Sequence, residues 1–332
     1  MCGLLDGADH HLKLVGARQA GRSFASDRRL SSRTSDLSAG GITIIHLLGR
    51  GQEKRDATPI EPLTPERAAH LRLPFVSRFT RATLSEHVRR YPGLAYVTEA
   101  ERQYVVAGWW RRHTEIGELL EVTAGNRRPE LVEKALAVLL DRGARLVVLD
   151  FGFDTSDRSL ISDAGFDVID RIVEYVRLNC DVGGVTTRAV QIRPYRPEDR
   201  AAVLDLERHS FPWLWWNSVD EWGTYLATTG VEVMLAEDAG EIVGYSSFTV
   251  RGRAGHLDRL AVRDSRQGAG FGAALLVDAL QRMGRAGVQQ VSLTTQEDND
   301  RSQRLYERYG FRRGKWVYEI YGKWLARPEV TR

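Results

Sequence analysis

Cysteine is nearly absent: Cys2 and Cys180 are the only two in 332 residues. That excludes a disulfide scaffold and leaves no Cys cluster for zinc, so no metal is expected and a reducing, cytoplasmic setting is. Lysine is scarce as well, with five in the chain (13, 54, 134, 315 and 323), leaving 42 arginines among 47 basic residues. No charge of one sign dominates, since 44 acidic residues bring the formal net charge to +3. The arginines are spread without a basic stripe or interleaved aromatics, so no nucleic-acid partner is expected. No apolar run approaches the ~18–20 residues of a membrane-spanning helix, and no membrane partner is expected either.

What is present is an ordinary globular composition, 42% hydrophobic and 27% charged, with enough chain for about two domains at roughly 150 residues each. Residues 1–40 are rich in Gly, Ser, Arg and Asp without periodicity and read as a disordered lead-in. Their acidic residues argue against a transit peptide, and there is no apolar core of a signal peptide. Residues 42–48 read as a short strand.

From residue 57 the sequence repeats itself. Ile60-Glu61-Pro62-Leu63-Thr64-Pro65-Glu66 recurs as Ile192-Arg193-Pro194-Tyr195-Arg196-Pro197-Glu198, Leu131–Leu136 as Leu275–Leu280, and Ala164-Gly165-Phe166 as Tyr309-Gly310-Phe311. The offset drifts only from 132 to 145 while order is kept. Two copies of one domain are therefore expected, over 57–178 and 188–326, with residues 179–187 as a Gly-containing linker. In the second copy the patterning predicts strands over 189–194, 231–236, 241–250, 254–262, 289–295 and 315–321. Helices are predicted over 197–208, 219–228, 271–286 and 299–308. The fold class is α/β: an α+β mixed sheet with helices packed on it.

The strand His256–Val262 leads into Gln267-Gly268-Ala269-Gly270-Phe271-Gly272 and then a long amphipathic helix. A Gly-rich turn opening a helix presents converging N–H groups to an anion. A G-x-G alone equally serves a tight turn. Further on stands Asn299-Asp300-Arg301-Ser302-Gln303-Arg304-Leu305-Tyr306-Glu307-Arg308-Tyr309-Gly310-Phe311.

Together, over about residues 190–326, these segments resemble the GNAT superfamily of N-acetyltransferases. Its loop pattern Q/R-x-x-G-x-G/A is filled by Gln267, Gly270 and Gly272. Its second pattern, N-x-x-A-x-x-L-Y-E-x-x-G-F, is met by Asn299, Leu305, Tyr306, Glu307, Gly310 and Phe311, with Ser302 in place of the usual Ala. The resemblance implies two tandem acyl-CoA N-acyltransferase-like domains and acetyl-CoA as co-substrate. It implies a pyrophosphate cradle at Gln267, Gly268, Ala269, Gly270, Phe271 and Gly272. Main-chain pairing of pantetheine would fall to Leu260, Ala261 and Val262, and further contacts to Asn299 and Ser302. Tyr306 would protonate the leaving thiolate, and Asp258 would serve as general base, with His256 or a water chain as alternatives. Arg263 and Arg266 flank the loop and suit either CoA phosphates or a solvated face.

In the resembling family the region of Phe211, Trp213, Trp215 and Trp216 lines the acceptor pocket, while the run is equally suited to packing between the copies. The acceptor is a small-molecule amine or a protein N-terminus, and the chain a monomer or homodimer. The first copy lacks the motifs. Its loop, Thr123–Glu130, is shorter and carries Pro129, and Ile161 and Asp154 replace Tyr306 and Asn299, so the second copy is expected to be the active one. Two other functions share this pattern: a non-catalytic acyl-CoA-binding or regulatory module, and an aminoacyl-tRNA-dependent peptidyltransferase.

Overall fold

A computed structural model of the chain describes residues 59–98, 103–149, 158–183 and 189–326. The lead-in, the strand expected over 42–48, Asp154, residues 184–187 of the linker and residue 188 lie outside the described residues.

The first half runs β1 (Ile60–Pro62), α1 (Pro65–His70), α2 (Arg81–Arg90), β2 (Ala95–Thr98), β3 (Tyr104–Trp109), β4 (Ile116–Val122), α3 (Arg128–Asp141), β5 (Leu146–Leu149), α4 (Arg158–Asp163) and β6 (Asp167–Arg177). The second half repeats this order as β7 (Gln191–Pro194), α5 (Arg200–Ser210), α6 (Val219–Leu226), β8 (Val231–Asp238), β9 (Glu241–Arg251), β10 (Ala254–Val262), α7 (Phe271–Arg285), β11 (Gln290–Gln296), α8 (Asp300–Arg308) and β12 (Arg312–Trp324). The repeated glycines mark equivalent turns. Gly143 and Gly287 follow α3 and α7 at φ 95° and 84°, and Gly165 and Gly310 precede the sixth strands at 71° and 80°. These are left-handed positions that strain any side chain with a Cβ.

All twelve strands form one sheet in the order β1-β2-β3-β4-β5-β12-β6-β11-β10-β9-β8-β7. The centre is a reciprocal exchange. β6, which ends the first half, pairs with β11 from Val291↔Arg177 to Gln296↔Ile172. β12, which ends the second half, pairs with β5 from Tyr321↔Leu149 to Trp324↔Leu146. The two exchanged strands run antiparallel to each other, Arg312 facing Val176 and Gly322 facing Asp167. Each half thus has its sheet completed by a strand from the other.

Helices cover both faces. Leu131, Val132, Ala135 and Leu139 of α3 pack on β3–β5, while Leu84 and Val88 of α2 pack on the opposite face. In the second half Leu276, Val277, Leu280 and Met283 of α7 pack with Phe248, Leu257 and Leu293. Val203 and Leu206 of α5 and Trp222 of α6 pack with Tyr245 and Ala261 on the other side. Two glycines hold α7 close to the sheet. A Cβ on Gly255 would fall 3.1 Å from Val288 and closer still to the Met283 sulfur, and one on Gly244 would fall 3.2 Å from Leu275 of α7. Among the described residues no helix is long and apolar enough to cross a membrane.

Candidate active site

Strand β10 is paired to β9 along its length but with a bulge between Leu257 and Arg259, so that Asp258 is the extra residue. Its parallel pairing with β11 ends at Leu257↔Leu293. Beyond that point β10 continues along β9 to Val262↔Gly244, while β11 continues along β6 to Gln296. The two strands therefore splay at the bulge. The edge of Leu260, Ala261 and Val262 that would meet β11 lies along the opening.

Helix α7 begins at that opening. Its N-cap, Gly270, stands at φ 90° and makes no side-chain capping bond. Gly268 is also left-handed, at φ 78°, and a Cβ there would meet nothing within 4 Å. An ideal Cβ on Gly272 would lie 3.7 Å from both Val262 and Leu305, which places the loop, the end of β10 and helix α8 against one another. The Gln267 amide donates to the Val262 carbonyl (2.9 Å) and to Asp264 (2.8 Å), and its oxygen accepts from Arg301. The loop is tied down by this side chain, and its glycines leave space for an anion. Phe271 is buried under the helix, and Ala269 packs beside it. Arg263 and Arg266 each face a carboxylate, Asp205 and Asp238, at 3.5 Å.

Asn299 is the N-cap of α8, its oxygen accepting from the Ser302 N–H at 3.2 Å, which leaves the amide NH₂ for a ligand. Tyr306 is 6% exposed and shares a cluster with Leu257 and Leu293, the last residues joining β10 to β11. Its ring lies 6.1 Å from that of Tyr175 on β6 and 6.0 Å from Phe311. Burial pushes the phenol up to about 12, with a hydrogen bond to Ser302 acting in the opposite sense.

Asp258 sits among hydroxyls. Its Oδ2 accepts from Tyr225 on α6 and Thr249 on β9, each at 2.7 Å. Burial raises the carboxyl to about 6, against the lowering effect of those two bonds and of Arg259 and Arg251. His256 lies opposite Thr249 in register, and its Nδ1 is 2.9 Å from Ser292 Oγ. Burial lowers it to about 4, so at neutral pH it is a far weaker proton acceptor than Asp258. That difference favours Asp258. The Ser247 hydroxyl, buried beside Tyr225, has no well-formed hydrogen bond and is available to a polar group entering there.

The sequence reading missed the network behind Asp258. Arg259 lies 3.6 Å from the fully buried Glu207, donates to the Trp215 carbonyl (2.7 Å) and Asn217 Oδ1 (3.3 Å), and covers the Phe211 ring at 4.7 Å. Glu207 also accepts from the Asn217 N–H (2.8 Å) and from Tyr245. These partners come from α5, the segment that follows it and β9, and no local spacing ties them to Arg259.

The tryptophans expected around the acceptor instead pack mainly between the halves. Trp215 is 8% exposed, lies edge-on to Trp110 at 5.7 Å and donates to Asp170 of β6 at 2.6 Å. Trp213 stacks on Trp324 at 5.9 Å, and Trp216 donates to the Phe211 carbonyl with its ring 6.4 Å from His113. Of the four residues, Phe211 meets Arg259 with its ring and Trp215 with its carbonyl.

The first half shows the same architecture without the chemistry. The register of β3 and β4 shifts so that Leu120 stands at the bulge, where the second half has Asp258. At the start of α3 the Gln103 side chain accepts from the Arg127 N–H (3.0 Å) and donates to Asn126 (2.9 Å), filling the turn that the second half leaves open. Pro129 removes a further N–H from the first turn, and Ile161 is a buried core residue.

The fold is a mixed α/β sheet with a splayed, bulged strand beside a Gly-rich helix start, and residues 194–311 match the acetyltransferase (GNAT) family. The match covers the second half, which is that of a GNAT acetyltransferase. The chain is 28% identical over 315 residues, 84% of this chain and 92% of the relative, to a mycothiol acetyltransferase of Sanguibacter keddieii. A GCN5-related N-acetyltransferase from Sphaerobacter thermophilus shares the fold with TM-score 0.54 and 20% identity, over 82% of this chain and 97% of that one. Another, from Kribbella flavida, does so with TM-score 0.57 and 15% identity, over 80% of this chain and 71% of that one. Each match spans more of this chain than one half contains, as a two-copy architecture requires.

Proposed function

We propose that the second half transfers an acetyl group from acetyl-CoA to the primary amine of a small molecule, both substrates being bound together, and that the first half is structural. Acetyl-CoA supplies the activated thioester. The Gln267–Gly272 backbone and the start of α7 would hold its pyrophosphate. The opening edge of Leu260–Val262 would pair with the pantetheine amides, although the Val262 carbonyl already accepts from Gln267. Asn299 and Ser302 would flank that arm.

Asp258 is the base. As the amine nitrogen bonds to the acetyl carbon its proton becomes acidic, and a carboxylate of pKa about 6 then suffices to take it. The carbon–sulfur bond breaks in the same exchange, leaving the electron pair on sulfur. Tyr306, protonated throughout the neutral range, donates a hydrogen bond to that sulfur and gives it a proton as it departs as the free thiol; the phenolate regains a proton from solvent while Asp258 releases the amine's proton there. The observation that carries the reading is Asp258 at the bulge where β10 leaves β11, beside the open helix start. The name of the Sanguibacter relative makes the amine whose acetylation yields mycothiol the first acceptor to test.

A screen of amines with acetyl-CoA, read by thiol release, tests the function. Acceptor-dependent release is expected from the wild type and about a hundredfold less from Tyr306→Phe. No release with any amine would favour an acyl-CoA-binding module. A second variant probes the cradle. Gly270→Ala forces a Cβ into φ 90°, at roughly 1–2 kcal/mol, and is expected to weaken acetyl-CoA binding about tenfold in calorimetry. Unchanged affinity would count against the loop as the pyrophosphate site.

A further inference from the structure

Trp110–His113, a single turn between β3 and β4 of the first half, is bonded residue by residue to the segment joining α5 to α6 in the second half. Trp110 Nε1 donates to the Leu214 carbonyl (2.7 Å), Arg111 Nε to the Trp216 carbonyl (3.0 Å) and Arg112 Nη1 to the Asp220 carbonyl (3.2 Å). His113 Nε2 meets the Trp216 carbonyl at 3.0 Å, and Arg112 also faces Glu221 at 3.6 Å. Arg111 reaches Asn217 Oδ1 as well, the same oxygen that receives Arg259. To do this Arg111 and Arg112 both adopt left-handed backbone, at φ 47° and 56°, and Ala239 is the one other non-glycine at positive φ among the described residues. Such strain persists only where surrounding contacts impose it. The held segment runs directly into α6, which carries Tyr225 to Asp258.

We propose that Arg111, supplied by the half that lacks the catalytic motifs, is a positioning residue for Asp258, fixing Asn217 and the start of α6 so that Tyr225 meets the carboxylate. The inference rests on the reading of Asp258 as base. The charged and titratable groups facing Asp258 are Arg259 on β10, Arg251 on β9 and Tyr225 on α6; Arg259 is faced in turn by Tyr245 on β9 and Glu207 on α5, and Arg251 acts on His256 of β10. Of these, Tyr225 rides on the element whose start the Arg111 turn holds. Burial and the neighbouring Arg259 lower the Arg111 guanidinium itself to about 10, so it remains charged at neutral pH.

The test compares Arg111→Ala, Arg111→Gly and Tyr225→Phe with the wild type. Four quantities are read: acceptor turnover, acetyl-CoA affinity, melting temperature, and the ¹³C titration of the Asp258 carboxyl assigned through Asp258→Asn. Both Arg111 variants are expected to lose tenfold or more in kcat, with acetyl-CoA affinity within twofold of wild type. Their Asp258 titration should move upward, in the direction of Tyr225→Phe. The glycine variant should melt above the alanine variant, because it fits the left-handed backbone, without recovering rate. Wild-type turnover in the Arg111 variants, a rate that follows melting temperature, or an unmoved titration would each overturn the proposal. A wild type that releases no thiol with any amine would instead sink the reading of Asp258 and this proposal with it.

Discussion

Residues 189–326 expressed alone are expected not to yield a folded, active domain, although they contain every motif of the acetyltransferase. The fragment lacks β6, which lies between β11 and β12. Without it the ladder from Val291↔Arg177 to Gln296↔Ile172 is lost, and so is the pairing of β12. The buried side chains of Ile172, Val173 and Tyr175 go with it. At ~1.5–3 kcal/mol for each large buried side chain, the loss is roughly 5–9 kcal/mol. A domain has only about 5–15 kcal/mol in total. Two newly exposed strand edges would also invite aggregation. Co-expressing the chain as two pieces divided within 184–188 should restore a 1:1 complex with activity, since the exchange is non-covalent. A cooperative melt of the lone fragment at the full-length temperature would refute this.

Asp258→Asn is the second large expectation: a 10²–10⁴-fold fall in turnover together with a gain in stability at neutral pH. The sign follows from the direction of the shift. The carboxyl is raised from 3.8 to about 6 in the folded protein, so folding favours its protonated form. The stabilisation this lends is complete below pH 3.8 and lost as pH rises through 6. Above that, the buried carboxylate opposes folding by up to about 3 kcal/mol, and a neutral amide that still accepts from Tyr225 and Thr249 removes the penalty. Denaturant unfolding at pH 8 should show the variant at least as stable as the wild type, and at pH 4 the difference should vanish. The acid limb of the wild-type rate profile should lie near pH 6 and disappear in the variant's residual activity. A wild-type profile flat across pH 5–7 would count against Asp258 as base.

Both expectations concern features of different legibility. Asp258 was marked in the sequence by the resemblance alone, and nothing near it indicated Tyr225 or Thr249, which come from a helix and another strand. Phe211–Asn217 was legible as an aromatic run, but whether it walls a pocket or packs between halves depends on what stands opposite. Here that is Trp110, His113, Asp170 and Trp324. The first half's loss of its loop was visible in Pro129, whereas the filling of that turn by Gln103 was not.

The duplicated order of strands and helices is a local property, because glycines at left-handed turns and apolar periodicity act over a few residues. So is the geometry of the Gly-rich helix start, and both are legible in the chain itself. Tertiary structure alone decided that the sixth strands cross over, since two strands of like pattern satisfy either partner until the whole sheet is assembled. It also decided that a strained arginine turn of the first half bears on the carboxylate of the second, because a buried charge network is settled by which groups the fold brings within hydrogen-bonding distance.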